Sequence, residues 1–576
     1  MFKKPFNFKI YIPLFIFNVL FTPLAKTQQI FSNNKYPITD FRQPLDIVPP
    51  ALAGSFGEIR GNHFHSGIDF RTNQREGYPV YAVADGYISR LRVQNSGFGQ
   101  ALYINHPNGF TTVYGHLQRF APRIANIVKN LEYEKKSFEI DEFPDATLIP
   151  VHKGDIIAWS GNRGSSGGPH LHFEIRDTKT EETINPQFFG INIPDNIPPV
   201  IHGLYVYHLN GKPFNEFTTK EAISISGANG TYRTTAPLSL SGEVGFGIVT
   251  TDRHNGLSGT NGVYSIQLEV DGKMVYTSAL ERFAFEDSKA INAHIDYPTY
   301  INTKRSIQKS FVDPGNPLKI YSNLVNSGRI NFTDGEMHQL RYIITDSKGN
   351  ASILPFTVHA GTGNTLVTET KVAMMPYSKV NEFNTENIKV VLPKGTLYND
   401  LNFSYKLLPK PTLNAWSAMH QIQNNYTPLH VGFELWIKAD HLPENIRSKA
   451  LIVNSNRSSQ GGYYDDGYVK ANPKNFGSFF ISIDSIAPSI TPINITEGKN
   501  MSALSKMIFK ISDNLSGIKS FNGYIDGKWV LMEFDAKTAT LWHNFDERTG
   551  KGKHSFELVV ADMKDNTRRY SISFLK

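Results

Sequence analysis

His63-Phe64-His65-Ser66-Gly67-Ile68-Asp69 and Pro169-His170-Leu171-His172-Phe173-Glu174 decide the reading of this chain, with Tyr114-Gly115-His116-Leu117 between them. Imidazole and carboxylate are the usual protein ligands of a hydrolytic zinc ion, and a catalytic site takes about three of them plus an open position. His170 and His172 alternate in an apolar run, so on a strand they share a face. His65 and Asp69 are four apart around Gly67, a spacing that suits a turning segment. An isolated H-x-x-x-D is common by chance, and a single H-x-H pair is as often a solvated face. Two same-facing histidines in an apolar strand are nonetheless hard to bury without a partner. Three clusters, each beside glycines, are far more specific than any one of them.

Working outward, the connecting pieces are equally patterned. Gly77-Tyr78-Pro79-Val80-Tyr81-Ala82, Asp85-Gly86, Gly97-Phe98-Gly99, Lys153-Gly154-Asp155, the run from Gly161 to Glu174, and Asn185-Pro186 follow one another. With the histidine clusters they make the segment resemble the lysostaphin-type (LytM-like) zinc metalloendopeptidases, which cut the peptide part of peptidoglycan. The resemblance covers about a quarter of the chain and is dense. It implies a small barrel-sandwich hybrid with a groove across one sheet. It also implies His65, Asp69 and His172 as ligands of Zn2+, with His116 and His170 as the two non-ligand histidines at the reacting centre. His63 is left at the rim.

Mainly β architecture is expected throughout. Met1 to Ala25 places Lys3, Lys4 and Lys9 before an apolar run broken by Pro13 and Pro23, which reads as a signal peptide (1–25), with an uncleaved anchor as the alternative. Without those lysines the formal charge drops from +7 to +4, modest for 576 residues. No Arg/Lys stripe with interleaved aromatics marks a nucleic-acid binder. The chain has no cysteine, so neither a lipid-bearing cysteine nor a disulfide framework is available. Residues 26–50 lead into a peptidase domain at 51–196, built of short β-type runs between glycine turns. Relative to the family, residues between Leu117 and Val151 are extra. Ile124, Ile127, Val128 and Leu131 in that stretch have helical spacing. The stretch reads as a surface excursion before it reads as a groove lid.

Beyond Pro198-Pro199 a repeat begins. Asp252, the turn Asp271-Gly272-Lys273, His338 and Asp346-Ser347-Lys348-Gly349-Asn350 recur as Asp513, Asp526-Gly527-Lys528, His554 and Asp562-Met563-Lys564-Asp565-Asn566. Alternating runs between these markers give period-2 strands joined by D-G turns. Residues 197–362 and 485–576 are therefore expected to be immunoglobulin-like β-sandwich modules, the first with a long insert near Ala279–Gly335. Residues 363–484 are expected to be a further β domain, to which the sequence assigns no topology. The repeat aspartates read as hairpin turns before they read as calcium ligands. The two outer modules are expected to fold separately, away from the catalytic centre.

The function expected from the resemblance is that of an exported zinc endopeptidase of the periplasm or cell envelope, acting on peptidoglycan stems or cross-links. The alternative is a wall-binding regulatory or scaffold protein. The sandwiches are candidates for envelope protein partners, and no stable membrane span is expected after signal removal.

Overall fold

Strand pairing begins with the segment that carries the first histidine cluster. In the computed structural model, which describes residues 35–256, 259–362, 374–412 and 414–576, strand β2 (Ile68–Arg71) lies between β1 (Leu52–Gly54) and β11 (His170–Asp177). The expected signal peptide lies outside the described residues. The sheet continues from β11 to β6 (Phe110–Gly115), β5 (Gln100–Asn105), β4 (Gly86–Val93) and β8 (Ile140–Glu142). A three-stranded sheet of β3 (Pro79–Tyr81), β10 (Ile156–Trp159) and β7 (Arg119–Phe120) completes the domain. Leu171, Phe173 and Ile175 are fully buried in the core with Ile68, Phe70 and Tyr114. The alternation of β11 therefore turns His170, His172 and Glu174 to the opposite face. Close approach of β2 to β11 depends on Gly67, where a Cβ would sit 2.3 Å from the Phe173 carbonyl oxygen.

The extra residues after Leu117 form helix α1 (Pro122–Lys135), with proline in its first turn and Ile124 and Val128 buried. The helical spacing is thus realised, but neither the surface excursion nor the lid describes its role: α1 is where the far end of the chain docks. Tyr133 packs edge-on to Trp529 at 5.3 Å, and the Arg548 guanidinium lies 4.0 Å from the Tyr133 ring. Lys129 pairs with Asp546 at 2.6 Å, and Phe138 meets Phe521.

Three β-sandwich units follow. Residues 200–360 form a five-stranded and an eight-stranded sheet. Residues 381–483 form a five-stranded and a four-stranded sheet around Val390, Leu435, Ile452 and Ile481, beside the pair Met374–Met375 with Leu401–Asn402. Residues 489–575 form a four-stranded and a five-stranded sheet. The repeat is visible bond by bond. His338 Nδ1 lies 2.7 Å from Asp271 Oδ2, and His554 Nδ1 lies 2.6 Å from Asp526 Oδ2. Asp346 Oδ1 accepts from the Lys348 and Asn350 amides, and Asp562 Oδ1 accepts from those of Lys564 and Asn566.

Packing corrects one part of the expectation for the outer modules: they do not lie away from the peptidase domain. The insert of the first sandwich is an aromatic bolt into the peptidase domain. Its Arg282–Phe283 pairs with β12 (Thr183–Ile184), so one sheet crosses the boundary. Phe283 packs on Phe56 and Phe64 at 5.1 and 5.6 Å. Phe64 and Phe283 are fully buried, which is worth about 1.5–3 kcal/mol for each ring. No local pattern marks this, because the strand pairing joins residues about 100 positions apart and the ring contacts join residues more than 200 apart.

The α1 interface also carries a buried acid. Burial, reinforced by the charge of Glu533, pushes the Glu132 carboxyl up to about 8. A carboxyl raised in the folded state binds more protons there than in the unfolded chain. Its stabilising share is therefore complete below its ordinary value near 4.5 and is lost as pH rises toward 8. Glu132→Gln is expected to remove this loss. Between pH 6 and pH 8.5 the melting temperature should fall less in the variant than in the parent chain; equal falls in both would exclude Glu132 as the cause.

Candidate active site

The antiparallel register sets His172 directly opposite Asp69 on β2 and opposite Gly115 on β6. His65 enters from the turn before β2. Three atoms converge: His65 Nε2 to Asp69 Oδ1 is 3.1 Å, His65 Nε2 to His172 Nδ1 is 3.1 Å, and His172 Nδ1 to Asp69 Oδ1 is 2.9 Å. A tetrahedral ion with ligand bonds of about 2.0–2.1 Å has edges of about 3.3 Å, so the triangle is close to one face of such a polyhedron. All three residues are buried.

Neighbouring groups fix which atoms point inward. His65 Nδ1 donates to the Ser55 carbonyl at 2.7 Å, leaving Nε2 as the acceptor. His172 Nε2 lies 2.9 Å from Glu174 Oε1, which leaves Nδ1 facing Asp69. The other Asp69 oxygen, Oδ2, accepts from Arg60 at 2.8 Å, so one oxygen alone faces the cluster. Glu174 is held in turn by Arg176 at 2.6 Å and by the Ser66 hydroxyl. Three lone pairs this close demand a positive charge. Burial opposes ionisation of His172, yet Asp69 and Glu174 outweigh it and lift the imidazole to about 9. Burial likewise opposes charge on Asp69, but His65, His170 and His172 hold its carboxyl well below the ordinary range. Burial is outweighed at Glu174 too, by Arg176 and His172, down to about 2. A proton on His172 meets the demand in the protein alone; a metal ion held by the same three atoms meets it with no rearrangement of the supporting bonds. The donor set fits the zinc ion implied by the resemblance.

His116 and His170 face each other beside this triangle, with ring centroids 4.8 Å apart. His116 has φ 57°, a left-handed conformation rare outside glycine, at the point where the chain leaves β6. Its amide donates to the Phe98 carbonyl and its Nδ1 to the Arg163 carbonyl, both at 2.8 Å. Burial, with the nearby His172 and His170, pushes its pKa down to about 3. The ring is therefore neutral at ordinary pH, with Nε2 as a proton acceptor. His170 Nδ1 donates to the Gly168 carbonyl at 2.8 Å. Its Nε2 is buried without a hydrogen-bond partner, 3.4 Å from Asp69 Oδ1. Phe98 stacks on His172 at 4.8 Å and walls the site.

All five residues singled out in sequence thus meet in one place. His63 is exposed and bonded to Asn62, outside the cluster. His106 is fixed between the Asp85 carbonyl and Thr112, as its turn position implied. Sequence reasoning missed Arg60 and the orienting role of Glu174; the period-2 spacing of His172 and Glu174 carried a signal for the latter. The C-terminal module, expected away from the catalytic centre, instead reaches it. Lys537 donates to the carbonyls of Asn162 and, at 3.2 Å, Ser166. Glu533 pairs with Arg163 at 3.0 Å, and the Arg163 guanidinium lies 4.8 Å from the Trp542 ring. The loop it grips, 162–168, supplies the carbonyls that orient both His116 and His170.

Comparison with known proteins agrees with this geometry. Residues 63–132 match Peptidase family M23, and residues 372–484 match the Zu5-like domain. The DD-carboxypeptidase/endopeptidase Mpg of Neisseria meningitidis is 32% identical over 131 residues, 23% of this chain and 24% of that protein. The glycyl-glycine endopeptidase ALE-1 of Staphylococcus capitis is 32% identical over 115 residues, 20% of this chain and 24% of that protein. The peptidoglycan DD-endopeptidase ShyB of Vibrio cholerae is 28% identical over 140 residues, 23% of this chain and 27% of that protein. The chain spans about a quarter of the length of each of these relatives. Family match, strand register and the converging imidazoles and carboxylate agree that the domain around His65, Asp69 and His172 belongs to peptidase family M23, the lysostaphin-like group.

Proposed function

We propose that this protein is an exported zinc-dependent endopeptidase that hydrolyses peptide bonds in peptidoglycan stems or cross-links. The observation that carries the reading is the triangle of His65 Nε2, Asp69 Oδ1 and His172 Nδ1, with sides of 2.9 to 3.1 Å. The peptide part of the wall as substrate rests on the M23 match and on the wall-directed names of its relatives. Export follows from where that polymer lies. Among the described residues, no helix is long and apolar enough to cross a membrane.

His65, Asp69 and His172 would hold the ion, and Glu174 and Arg60 hold His172 and Asp69 in orientation. Zinc in this position supplies Lewis-acid polarisation of a carbonyl and acidification of a water. His116, kept neutral by burial, and His170, with its unpartnered Nε2, present two acceptors on the open side. Either acceptor would take a proton from a water at the centre and return it to the departing amine. Phe98 excludes water from one side of His172. The sandwich modules offer surfaces for envelope partners.

A second reading, a wall-binding regulatory or scaffold protein, draws on one observation: the C-terminal module is docked beside the two histidines. Metal content and turnover separate the two. His65→Ala and Asp69→Ala are expected to lose zinc and peptidoglycan hydrolysis together. His116→Ala and His170→Ala are expected to keep zinc but lose about a hundredfold or more in turnover. Full turnover in all four variants would overturn the assignment.

Lys537→Ala tests the grip on the loop. It is expected to lower kcat on a soluble stem peptide with zinc content and KM unchanged, because the Arg163 and Gly168 carbonyls lose their anchor. A rise in kcat would instead make the module a cover over the groove.

A further inference from the structure

The two joints that precede the repeated sandwiches are built alike, and the likeness extends to their acids. At the first, the oxygens of Asp195 and Asp252 and a ring nitrogen of His254 lie within 4.8 Å of one another. Asp346 adjoins them, close enough that its charge acts on both Asp195 and Asp252. At the second, oxygens of Asp484, Asp513 and Asp562 lie within the same 4.8 Å. Each trio draws on the same three places: the last residues of the preceding unit (Asp195, Asp484), the aspartate that opens the repeat (Asp252, Asp513), and the first residue of the D-x-K-x-N turn (Asp346, Asp562).

These acids are not surface decoration. Asp252 is 2% exposed, Asp346 2%, Asp484 1% and Asp562 0%. Turn geometry accounts for some of their oxygens: Asp346 and Asp562 cap their own turns, and Asp513 Oδ2 accepts from the Leu515 and Gly517 amides. It does not account for all. Asp252 Oδ1 and Asp513 Oδ1, equivalent atoms of the two copies, are buried with no hydrogen-bond partner among the described residues. Nor does any lysine or arginine form an ion pair with these six aspartates among the described residues. Lys348 sends its ammonium to Asn192 Oδ1 at 2.8 Å, and Lys564 sends its own to the Gly462 carbonyl at 2.6 Å. Burial and the neighbouring charges of Asp346 and Asp195 push Asp252 up to about 9, which is what an uncompensated acid cluster does. The same arrangement of three aspartates recurs at equivalent positions of the second joint.

We propose that each joint binds a divalent cation of the calcium class, one on Asp195, Asp252 and Asp346 with His254 at its edge, the other on Asp484, Asp513 and Asp562. Oxygen ligands in this number select a hard cation, and the second site offers carboxylates alone. Because one ligand at each site comes from the preceding unit, the ion ties that unit to the sandwich that follows. The second joint sets the direction of the module whose Lys537 and Glu533 hold the 162–168 loop. These ions are structural and separate from the metal of the peptidase centre.

The test is a calorimetric titration of the full chain, carrying one zinc, with Ca2+. Two saturable equivalents are expected, together with a rise in melting temperature. Asp252→Asn and Asp513→Asn should each reduce the uptake to one. Each keeps the shape of the side chain while removing the charge beside an oxygen that has no hydrogen-bond partner, so without Ca2+ each variant should melt no lower than the parent chain. Absence of saturable Ca2+ uptake by the parent chain would overturn the proposal, as would two equivalents retained in both variants.

Discussion

Three acceptor atoms about 3 Å apart cannot be packed into a protein interior without a positive charge between them. His65, Asp69 and His172 impose that constraint, and much of the surrounding structure answers it. Ser55 and Glu174 fix the two tautomers, Arg60 takes the second oxygen of Asp69, and Arg176 and Ser66 secure Glu174. The strand register that places His172 opposite Asp69 depends on the close β2–β11 contact that Gly67 permits. A site held this firmly loses little on binding a metal, since its ligands are already oriented.

The chain assembles its modules around this centre. Helix α1 and the 162–168 loop both receive the C-terminal sandwich, and the insert of the first sandwich closes the other side through Phe283. Consequently the orientation of His116 and His170, set by carbonyls of that loop, is tied to residues more than 350 positions further along the chain. The two acid-lined joints stand where the path between these contacts turns from one unit to the next.

What could be read from sequence follows contact range. The five site residues were legible because their local patterns, each weak alone, together resemble those of the lysostaphin-type family, which implied their roles: His170 and His172 in a period-2 run, His65 and Asp69 around a glycine, His116 beside Gly115. The helical character of α1 was legible from the spacing of Ile124, Ile127, Val128 and Leu131. Arg60 was not, because its meaning lies in a side chain that folds back across nine residues onto Asp69. Neither was the docking of Trp529, Glu533 and Lys537, which ordinary surface composition conceals. The D-x-K-x-N turns were read correctly as turns, yet the convergence of Asp562 with Asp484 and Asp513 is purely tertiary.

The central claim is that this centre breaks peptide bonds of the wall polymer through its metal. The most direct measurement is mass spectrometry of the fragments released from purified peptidoglycan by the full chain, with and without a zinc chelator. The account predicts peptide fragments with new amino and carboxyl ends, whose masses together with the trimmed stems exceed the parent by one water per bond cut, abolished by chelator and restored by zinc. Glycan-bond products, or the same fragments in the presence of chelator, would contradict it.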